Sequence, residues 1–369
     1  MILVSGAAPV NAATPCRMAT AFDFCNELAV VRPRSGLAWE ETMRRFFRAS
    51  VASGLMAMAA LLAWLAPVHA AEKLRVAKVV PFAWSFTPLD IGIQTGIFAK
   101  HGLDIEESAS AGDAKLQQLL ASGSIDIGIG SGPGMAFIAK GVPAKAVAAM
   151  FGAPQNMAVM VGYDSDIKTV ADLKGKKLGC TTVGSLTDWI GTRINQKEGW
   201  SSDGITMVPI GGMPPARAAI KTHQIDGYIG ALETGYALEE AKEWRVITAA
   251  TPFVDQFITH VIFATNDEIE KHPDQVKAFL AGWFETIAYM KTHKAESVAI
   301  SAKVLNLSEA VISRVYDEQI GAFNTDGTFD PKAVAVLKKS YIEMGLLKDT
   351  PDDKEMFTTQ FVPVKVSQQ

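Results

Sequence analysis

Two segments of the sequence combine glycine with hydroxyl side chains in a pattern that suits the binding of small polar groups. One spans residues 131–134 (Ser-Gly-Pro-Gly) and the other spans residues 181–187 (Thr-Thr-Val-Gly-Ser-Leu-Thr). Each follows a predicted strand and precedes a predicted helix, where hydroxyls and free backbone N–H groups face a ligand. Capping of the following helix by Ser185 or Thr187 is the alternative explanation for the second segment.

Three further strand-end segments carry side chains that could contact the same ligand. Trp84 and Phe86 could stack on a planar molecule or fill a core. Gln155 and Asn156 could supply amide contacts or satisfy backbone groups, and Glu233 could face a cation or simply favour its own helix dipole. The predicted ligand-binding residues are therefore Trp84, Ser85, Phe86, Ser131, Gly132, Gln155, Asn156, Thr182, Gly184, Ser185, Leu186 and Glu233.

Catalytic and metal-binding side chains are sparse. Cys180 is the single cysteine after residue 70, so it is the one candidate thiol nucleophile there, although a small buried apolar role is the alternative. The histidines lie in separate segments without the paired spacing of metal ligands, so we predict no metal and no cofactor.

Asp113 is expected to cap a helix rather than to contact the ligand. An anionic ligand would depend on amides and hydroxyls, or on Arg193 or Arg217 reaching inward.

Composition excludes several classes of protein. The chain has 369 residues, of which 49% are hydrophobic and 20% charged, as in ordinary folded proteins. The 35 Lys and Arg residues against 39 Asp and Glu residues give a net charge of −4, which argues against nucleic-acid binding. The length predicts about two globular units.

The beginning of the chain has the pattern of an export signal. Arg44, Arg45 and Arg48 precede an apolar run over residues 49–68, and small residues follow, so residues 43–70 are predicted to be a signal peptide cleaved after Ala70. A single membrane anchor is the alternative. Residues 1–42 are predicted to be a non-native or unstructured extension. The 299 residues after position 70 carry 29 Lys and Arg against 35 Asp and Glu, a net charge of −6.

Strands and helices are predicted to alternate after the signal. Apolar alternation indicates strands at 74–80, 103–105, 125–129, 144–150, 157–161, 177–182, 205–210, 226–230 and 245–248. Helical patterns lie between most of them, including one over 90–100 and one over 185–198. From residue 252 the pattern is mostly helical, with one apolar face formed by Val276, Phe279, Leu280, Trp283, Ile287 and Met290.

Five stretches carry a family resemblance. They are residues 87–105 (TPLDIGIQTGIFAKHGLDI), 120–130 (LASGSIDIGIG), 139–143 (AKGVP), 172–179 (DLKGKKLG) and 224–227 (QIDG). In this order and spacing they resemble the periplasmic solute-binding proteins of the nitrate, sulfonate and bicarbonate type, in the thiamine-precursor-synthase-like superfamily. The resemblance covers nearly the whole chain after the signal.

The resemblance implies a type II periplasmic-binding-protein fold, in which two α/β lobes are joined by two crossing strands. Lobe 1 would comprise residues 71–153 and 251–369, and lobe 2 residues 154–250. It implies a monomeric, periplasmic, non-enzymatic protein that captures a small solute, such as a sulfonate, nitrate, pyrimidine or aromatic acid, for an ABC permease and its ATPase.

Two enzymes of the same fold are the alternatives to a binding protein. Pyrimidine synthases of this superfamily have a cysteine-rich iron-binding stretch that this sequence lacks. A desulfinase-like enzyme would have to use Cys180, which lies outside the loop where such enzymes keep their nucleophile.

Overall fold

The computed structural model describes residues 72–201, 203–254 and 256–366. The predicted extension over 1–42 and the predicted signal peptide over 43–70 lie outside these residues. No helix within the described ranges is both long enough and apolar enough to cross a membrane.

The first 80 residues of the described chain, from 72 to 151, build most of one sheet. Its elements are β1 (Glu72–Lys78), α1 (Thr87–Gln94), α2 (Ile97–Lys100), β2 (Leu103–Ala109), α3 (Asp113–Ala121), β3 (Ile127–Ser131), α4 (Met135–Ile138) and β4 (Ala144–Phe151). Short 3₁₀ helices at Trp84–Phe86 and Gly132–Gly134 follow β1 and β3. The single helix predicted over 90–100 is divided, because Gly96 has a left-handed φ of 74° between α1 and α2.

The middle of the chain builds a second sheet. Its elements are β5 (Met157–Gly162), β6 (Lys177–Cys180), α5 (Leu186–Lys197), β7 (Thr206–Pro209), α6 (Met213–Lys221), β8 (Gly227–Ala231), α7 (Leu232–Glu240) and β9 (Trp244–Ala249). The strand order is β7-β6-β8-β5-β9, with β6 parallel to β7 and β8, and β5 antiparallel to β8 and β9.

The chain then returns to the first sheet through β10 (His260–Thr265). This strand lies between β3 and β4, antiparallel to both, so that the order is β2-β1-β3-β10-β4. The sequence pattern missed β10, because all six of its residues are buried and a short continuous apolar run has no period that distinguishes strand from helix.

Helices complete the first unit after β10. They are α8 (Asn266–Lys271), α9 (Pro273–Thr292), α10 (Lys294–Leu305), α11 (Glu309–Gln319), α12 (Pro331–Glu343) and α13 (Asp353–Met356). The predicted apolar face of α9 is confirmed, because Val276, Phe279, Leu280, Trp283, Ile287 and Met290 are all buried.

Two connections carry the chain between the sheets, over residues 152–156 and residues 250–259. Both run along the carboxyl edges of the parallel strands. His260 at the start of β10 pairs with Ser131 at the end of β3, and Met157 at the start of β5 pairs with Ala231 at the end of β8. Each connection therefore delivers a side chain to the edge where ligands of open α/β sheets bind.

Candidate functional site

A small cavity lies between the carboxyl edges of the two sheets. Its volume is about 50 Å³, and its lining comes from both sheets. The lining residues are Val79, Val80, Phe82, Ala83, Phe86, Gly112, Asp113, Ser131, Asn156, Met157, Thr181, Leu186, Thr187, Tyr228, Gly230, Ala231 and His260. Ligand sites in proteins usually enclose about 300–1,000 Å³, so the cavity is small in this arrangement of the sheets.

The loop after β1 contributes aromatic walls. Phe82 and Phe86 line the cavity, whereas Trp84 is fully buried beside it and does not. The Trp84 ring packs against Phe323 and Tyr316, with centroid distances of 5.3 Å and 6.1 Å. The sequence allowed two roles for these aromatic residues. Phe86 is placed to stack on a ligand, whereas Trp84 fills the core.

The start of α3 and the end of β3 form one hydrogen-bonded corner. The Ser131 N–H donates to Asp113 Oδ1 at 3.1 Å, and the Gly134 N–H donates to Ser131 Oγ at 3.3 Å. Burial raises the pKa of Asp113 above its ordinary value, against the hydrogen bond from Ser131. Both Asp113 and Ser131 line the cavity, whereas Gly132 faces the Ile258 carbonyl instead.

A second polar group joins the two connections between the sheets. Asn156 Nδ2 lies 3.2 Å from Ser85 Oγ and 2.9 Å from His260 Nε2, and all three residues are buried. Burial lowers the pKa of His260 to about 3, so the ring is neutral at physiological pH. Asn156 and His260 line the cavity. Ser85 contacts Asn156 but does not line the cavity, and neither does Gln155.

The turn over 181–187 is a closed hydroxyl network. Thr181, Ser185 and Thr187 lie with their side-chain oxygens 2.9–3.0 Å apart in pairs. Thr187 Oγ1 also accepts from the Thr181 N–H at 2.9 Å, and Ser185 caps α5 by accepting from the Asp188 N–H. The capping alternative therefore describes Ser185, and the turn contributes Thr181, Thr187 and the predicted Leu186 to the lining.

Thr182 and Gly184, the other two residues of this turn that were predicted to bind the ligand, do not line the cavity. Thr182 packs against Gly112, where a Cβ would lie 2.8 Å from Thr182 Cγ2, so the two units touch at this point. Gly184 packs against Leu346 and donates its N–H to Asp188 Oδ2 at 2.9 Å.

Glu233 connects the units across the site rather than lining the cavity. In the first turn of α7 it is 1% exposed, and its Oε1 accepts from the backbone N–H of Trp84 at 2.5 Å. Burial raises the pKa of this carboxyl from 4.5 to about 7, against the hydrogen bond from Trp84. Among the described residues no partner reaches its Oε2.

The candidate nucleophile and the two candidate arginines lie elsewhere. Cys180 is buried outside the lining, and burial followed by the charge of Asp188 raises its thiol pKa to about 12. Arg193 bonds Gln196 and Glu343, and Arg217 bonds Glu243. The described residues contain no group of three or more His, Cys, Asp or Glu side chains that could hold a metal ion.

Several lining residues were absent from the predicted set. His260 begins the strand that the pattern missed, and Tyr228 lies within a buried strand, so neither had a local signal. Asp113 was expected to cap a helix rather than to contact a ligand, but the N-cap residue of α3 is Gly112, no side chain caps that helix, and Asp113 lines the cavity. Phe82 and Thr181 belonged to the loops that the sequence did single out, and their place after strand ends was the available signal.

Comparison with known proteins gives the family. The model of the NMT1/THI5-like family matches residues 84–297, more than half of the chain. The chain belongs to this family, which confirms the family resemblance of the five sequence stretches. A protein of Brucella abortus (strain 2308), provisionally named as a binding protein, is 25% identical over 324 residues, which are 84% of this chain and 98% of the relative.

Solved structures share the fold. The alkanesulfonate-binding protein SsuA from Xanthomonas axonopodis pv. citri, bound to MOPS, superposes with a TM-score of 0.65 at 19% identity, covering 79% of this chain and 96% of SsuA. DszB in complex with biphenyl-2-sulfinic acid superposes with a TM-score of 0.56 at 13% identity, covering 79% and 97%. The described residues therefore have the two-lobed α/β fold of periplasmic binding proteins, which confirms the predicted fold class.

Proposed function

We propose that the chain is the extracytoplasmic solute-binding component of an ABC importer, which captures a small organic or oxyanion solute between its lobes. The observation that carries this proposal is the cavity that both sheets line at their carboxyl edges, beside the two connections of the chain. Closure of two lobes around a ligand, with the connections as hinges, is the usual motion of such an architecture. SsuA, with the same fold, is named for the alkanesulfonates it binds.

The remaining features of the proposal concern the whole protein. Residues 71–153 and 251–369 would form lobe 1, and residues 154–250 lobe 2. Export through a signal peptide cleaved near Ala70 would leave a monomer in the periplasm, where a permease with its ATPase receives the solute.

A binding role fits the site better than the enzymatic alternative. A desulfinase-like reaction needs a thiolate that reaches the substrate. Cys180 lies outside the cavity lining, and its pKa of about 12 keeps the thiol protonated near neutral pH. The proposal is therefore non-enzymatic.

Mass spectrometry and small-angle X-ray scattering test the binding role together. The protein is purified from the periplasmic fraction, the mass of any small molecule it retains is measured, and that molecule is then removed by reversible unfolding. Adding the molecule back should reduce the radius of gyration and raise the unfolding temperature. The proposal is wrong if no small molecule is retained and neither quantity changes with sulfonates, nitrate, pyrimidines or aromatic acids.

Export has its own test. Sequencing the amino terminus of the periplasmic protein should place Ala71 first. A full-length chain that stays with the membrane fraction would contradict cleavage and support an anchor instead.

A further inference from the structure

The backbone amides around the cavity already donate to carboxylates of this chain. The Ser131 N–H donates to Asp113 at 3.1 Å, the Gly184 N–H donates to Asp188 at 2.9 Å, and the Trp84 N–H donates to Glu233 at 2.5 Å. Of the three amides, only that of Ser131 belongs to a residue that lines the cavity, and its acceptor Asp113 lines the cavity as well. The amide of Ser131, which could otherwise bind an anion at the end of β3, is therefore already used by a carboxyl oxygen of the protein.

The same three carboxyl groups lie at helix starts. Asp113 lies in the first turn of α3, Asp188 in the first turn of α5 and Glu233 in the first turn of α7. A helix start attracts anions through its free N–H groups and a partial positive charge of about half a unit. Burial raises the pKa of all three carboxyl groups, so their effect on an incoming anion is to occupy N–H donors rather than to cancel the positive partial charge.

Hydroxyl groups use two further amides. The Thr181 N–H donates to Thr187 Oγ1 at 2.9 Å, and the Gly134 N–H donates to Ser131 Oγ at 3.3 Å. The two glycine- and hydroxyl-rich turns thus satisfy their own donors, and their lining atoms are not arranged as an anion cradle.

The described lysine and arginine side chains do not provide attraction for an anionic ligand at the cavity. The described residues that line the cavity include Asp113 but no lysine or arginine. Lys78, next to the lining residue Val79, is 4% exposed and bonds Asp90 at 3.0 Å and also Glu107. The ammonium group of Lys78 is therefore paired with two carboxyl groups of its own lobe. Among the described lining residues no side-chain cation is thus available to an incoming anion.

Two lining residues, Asn156 and His260, each have one buried polar atom without a hydrogen-bond partner among the described residues, Oδ1 and Nδ1 respectively. Asn156 uses Nδ2 for both Ser85 and His260, and its buried Oδ1 has no hydrogen-bond partner within the described ranges. A buried acceptor without a partner destabilises the unliganded site, and a ligand N–H that donates to it removes this cost. The rings of Phe82, Phe86 and Tyr228 provide an apolar surface beside this acceptor.

We propose that the cleft selects a compact solute that carries no negative charge and donates N–H hydrogen bonds to Asn156 and Asp113, and that it discriminates against sulfonate, nitrate and bicarbonate. This inference rests on the proposed solute-binding function and narrows its ligand class. An amide or a protonated amine on a small planar or apolar body has the required chemistry, because it supplies N–H donors and brings no negative charge into a lining that has no side-chain cation among the described residues.

Calorimetric titration with matched molecules of similar size and different charge tests the inference. The probes are urea, guanidinium and nitrate, then methanesulfonamide and methanesulfonate, then nicotinamide and nicotinate. We expect at least one uncharged or cationic probe to bind about tenfold more tightly than its anionic counterpart. Equal or tighter binding of the anion in every set that binds overturns the inference.

Absence of binding by all uncharged and cationic probes would also decide the question. If none of them binds, the inference is wrong for this ligand class, whereas compaction by the co-purified molecule would still support the proposed function. Without that compaction the proposed function fails as well, so the two failures are distinguishable.

The variant Asp113→Asn separates charge from shape at the same position. It keeps an oxygen acceptor for the Ser131 N–H, replaces the acid by a group that cannot ionise and adds an N–H donor, so relative affinity for the anionic probes should rise about tenfold. Asp274→Asn, whose side chain is 92% exposed on α9, makes the same charge change away from the cleft and should leave the ratio unchanged. An unchanged ratio in a folded Asp113→Asn protein contradicts the inference.

Discussion

Glu233 of the second sheet's unit accepts a hydrogen bond from the backbone N–H of Trp84 in the first unit, and 149 residues of sequence separate them. The bond closes one side of the cleft. Its carboxylate is almost fully buried and Trp84 is fully buried, so the contact depends on both units meeting in this arrangement. Separation of the lobes would return the carboxylate to water.

Replacing Glu233 by glutamine should change the pH dependence of stability. The folded pKa of about 7 lies above the ordinary 4.5, so the folded protein keeps a proton that the unfolded chain releases between these values. The stabilising contribution is complete below pH 4.5 and is lost as the pH rises through 7, by about 3 kcal/mol. Glu233→Gln stays neutral and can still accept from Trp84, so its stability relative to wild type should rise over this range.

Urea denaturation at several pH values measures this difference. Glu309→Gln is the matched control, because Glu309 also lies in the first turn of a helix but is exposed. Its stability relative to wild type should stay nearly constant. Parallel pH profiles for Glu233→Gln and wild type would show that the buried carboxyl does not hold the proton.

A methyl group at Gly112 should hold the lobes apart. Gly112 has a φ of 111°, and a Cβ there would lie 2.8 Å from Thr182 Cγ2 on the other lobe. Gly141→Ala is the control, since Gly141 has a φ of 103° with nothing within 4 Å of its Cβ position. Both variants should lose about 1–3 kcal/mol of stability through backbone strain.

Solute affinity and scattering separate the two glycine variants. Gly112→Ala should bind the co-purified solute at least about tenfold more weakly and compact less, because closure now requires a steric adjustment. Gly141→Ala should bind as wild type does. Equal losses of affinity in both variants would mean that the Gly112–Thr182 contact has no part in closure.

Asn156→Leu should destabilise the protein and impair solute binding. Leucine keeps the approximate volume but removes the only hydrogen-bond donor that the described structure gives His260 Nε2, and Ser85 also loses its partner. We expect a loss of about 1–3 kcal/mol for each buried group left unsatisfied. Ser85→Ala should cost less, since Asn156 then keeps His260. Chemical denaturation of the two variants checks the order, and a larger cost for Ser85→Ala would contradict it.

Cys180 should behave as a structural thiol. Its pKa of about 12 leaves almost no thiolate near neutral pH, and burial limits access, so iodoacetamide should modify it only when the protein unfolds. Peptide mass mapping in native and denaturing buffer measures this. Cys180→Ala should bind the solute with unchanged affinity. Rapid native modification together with turnover of a sulfinate substrate would instead support the enzymatic alternative.

Much of the fold was predictable because its signals are local. Strands such as β3 and β8 follow apolar patterns, the face of α9 follows helical periodicity, and the family motifs lie in consecutive residues. Such patterns operate over a few residues, so composition and spacing reveal them. The sequence by itself thus determined the α/β class, the family and the strand-end loops near which a ligand site would lie.

The tertiary structure decided which atoms of those loops face the cavity. Asn156 meets His260 across 104 residues, and Ser131 meets Asp113 across 18. The two glycine- and hydroxyl-rich turns that the sequence singled out for small polar groups donate to carboxyl and hydroxyl oxygens of the chain itself. The physical reason is that a backbone donor binds whichever acceptor the packed fold brings within about 3 Å, and that acceptor comes from elements distant in sequence.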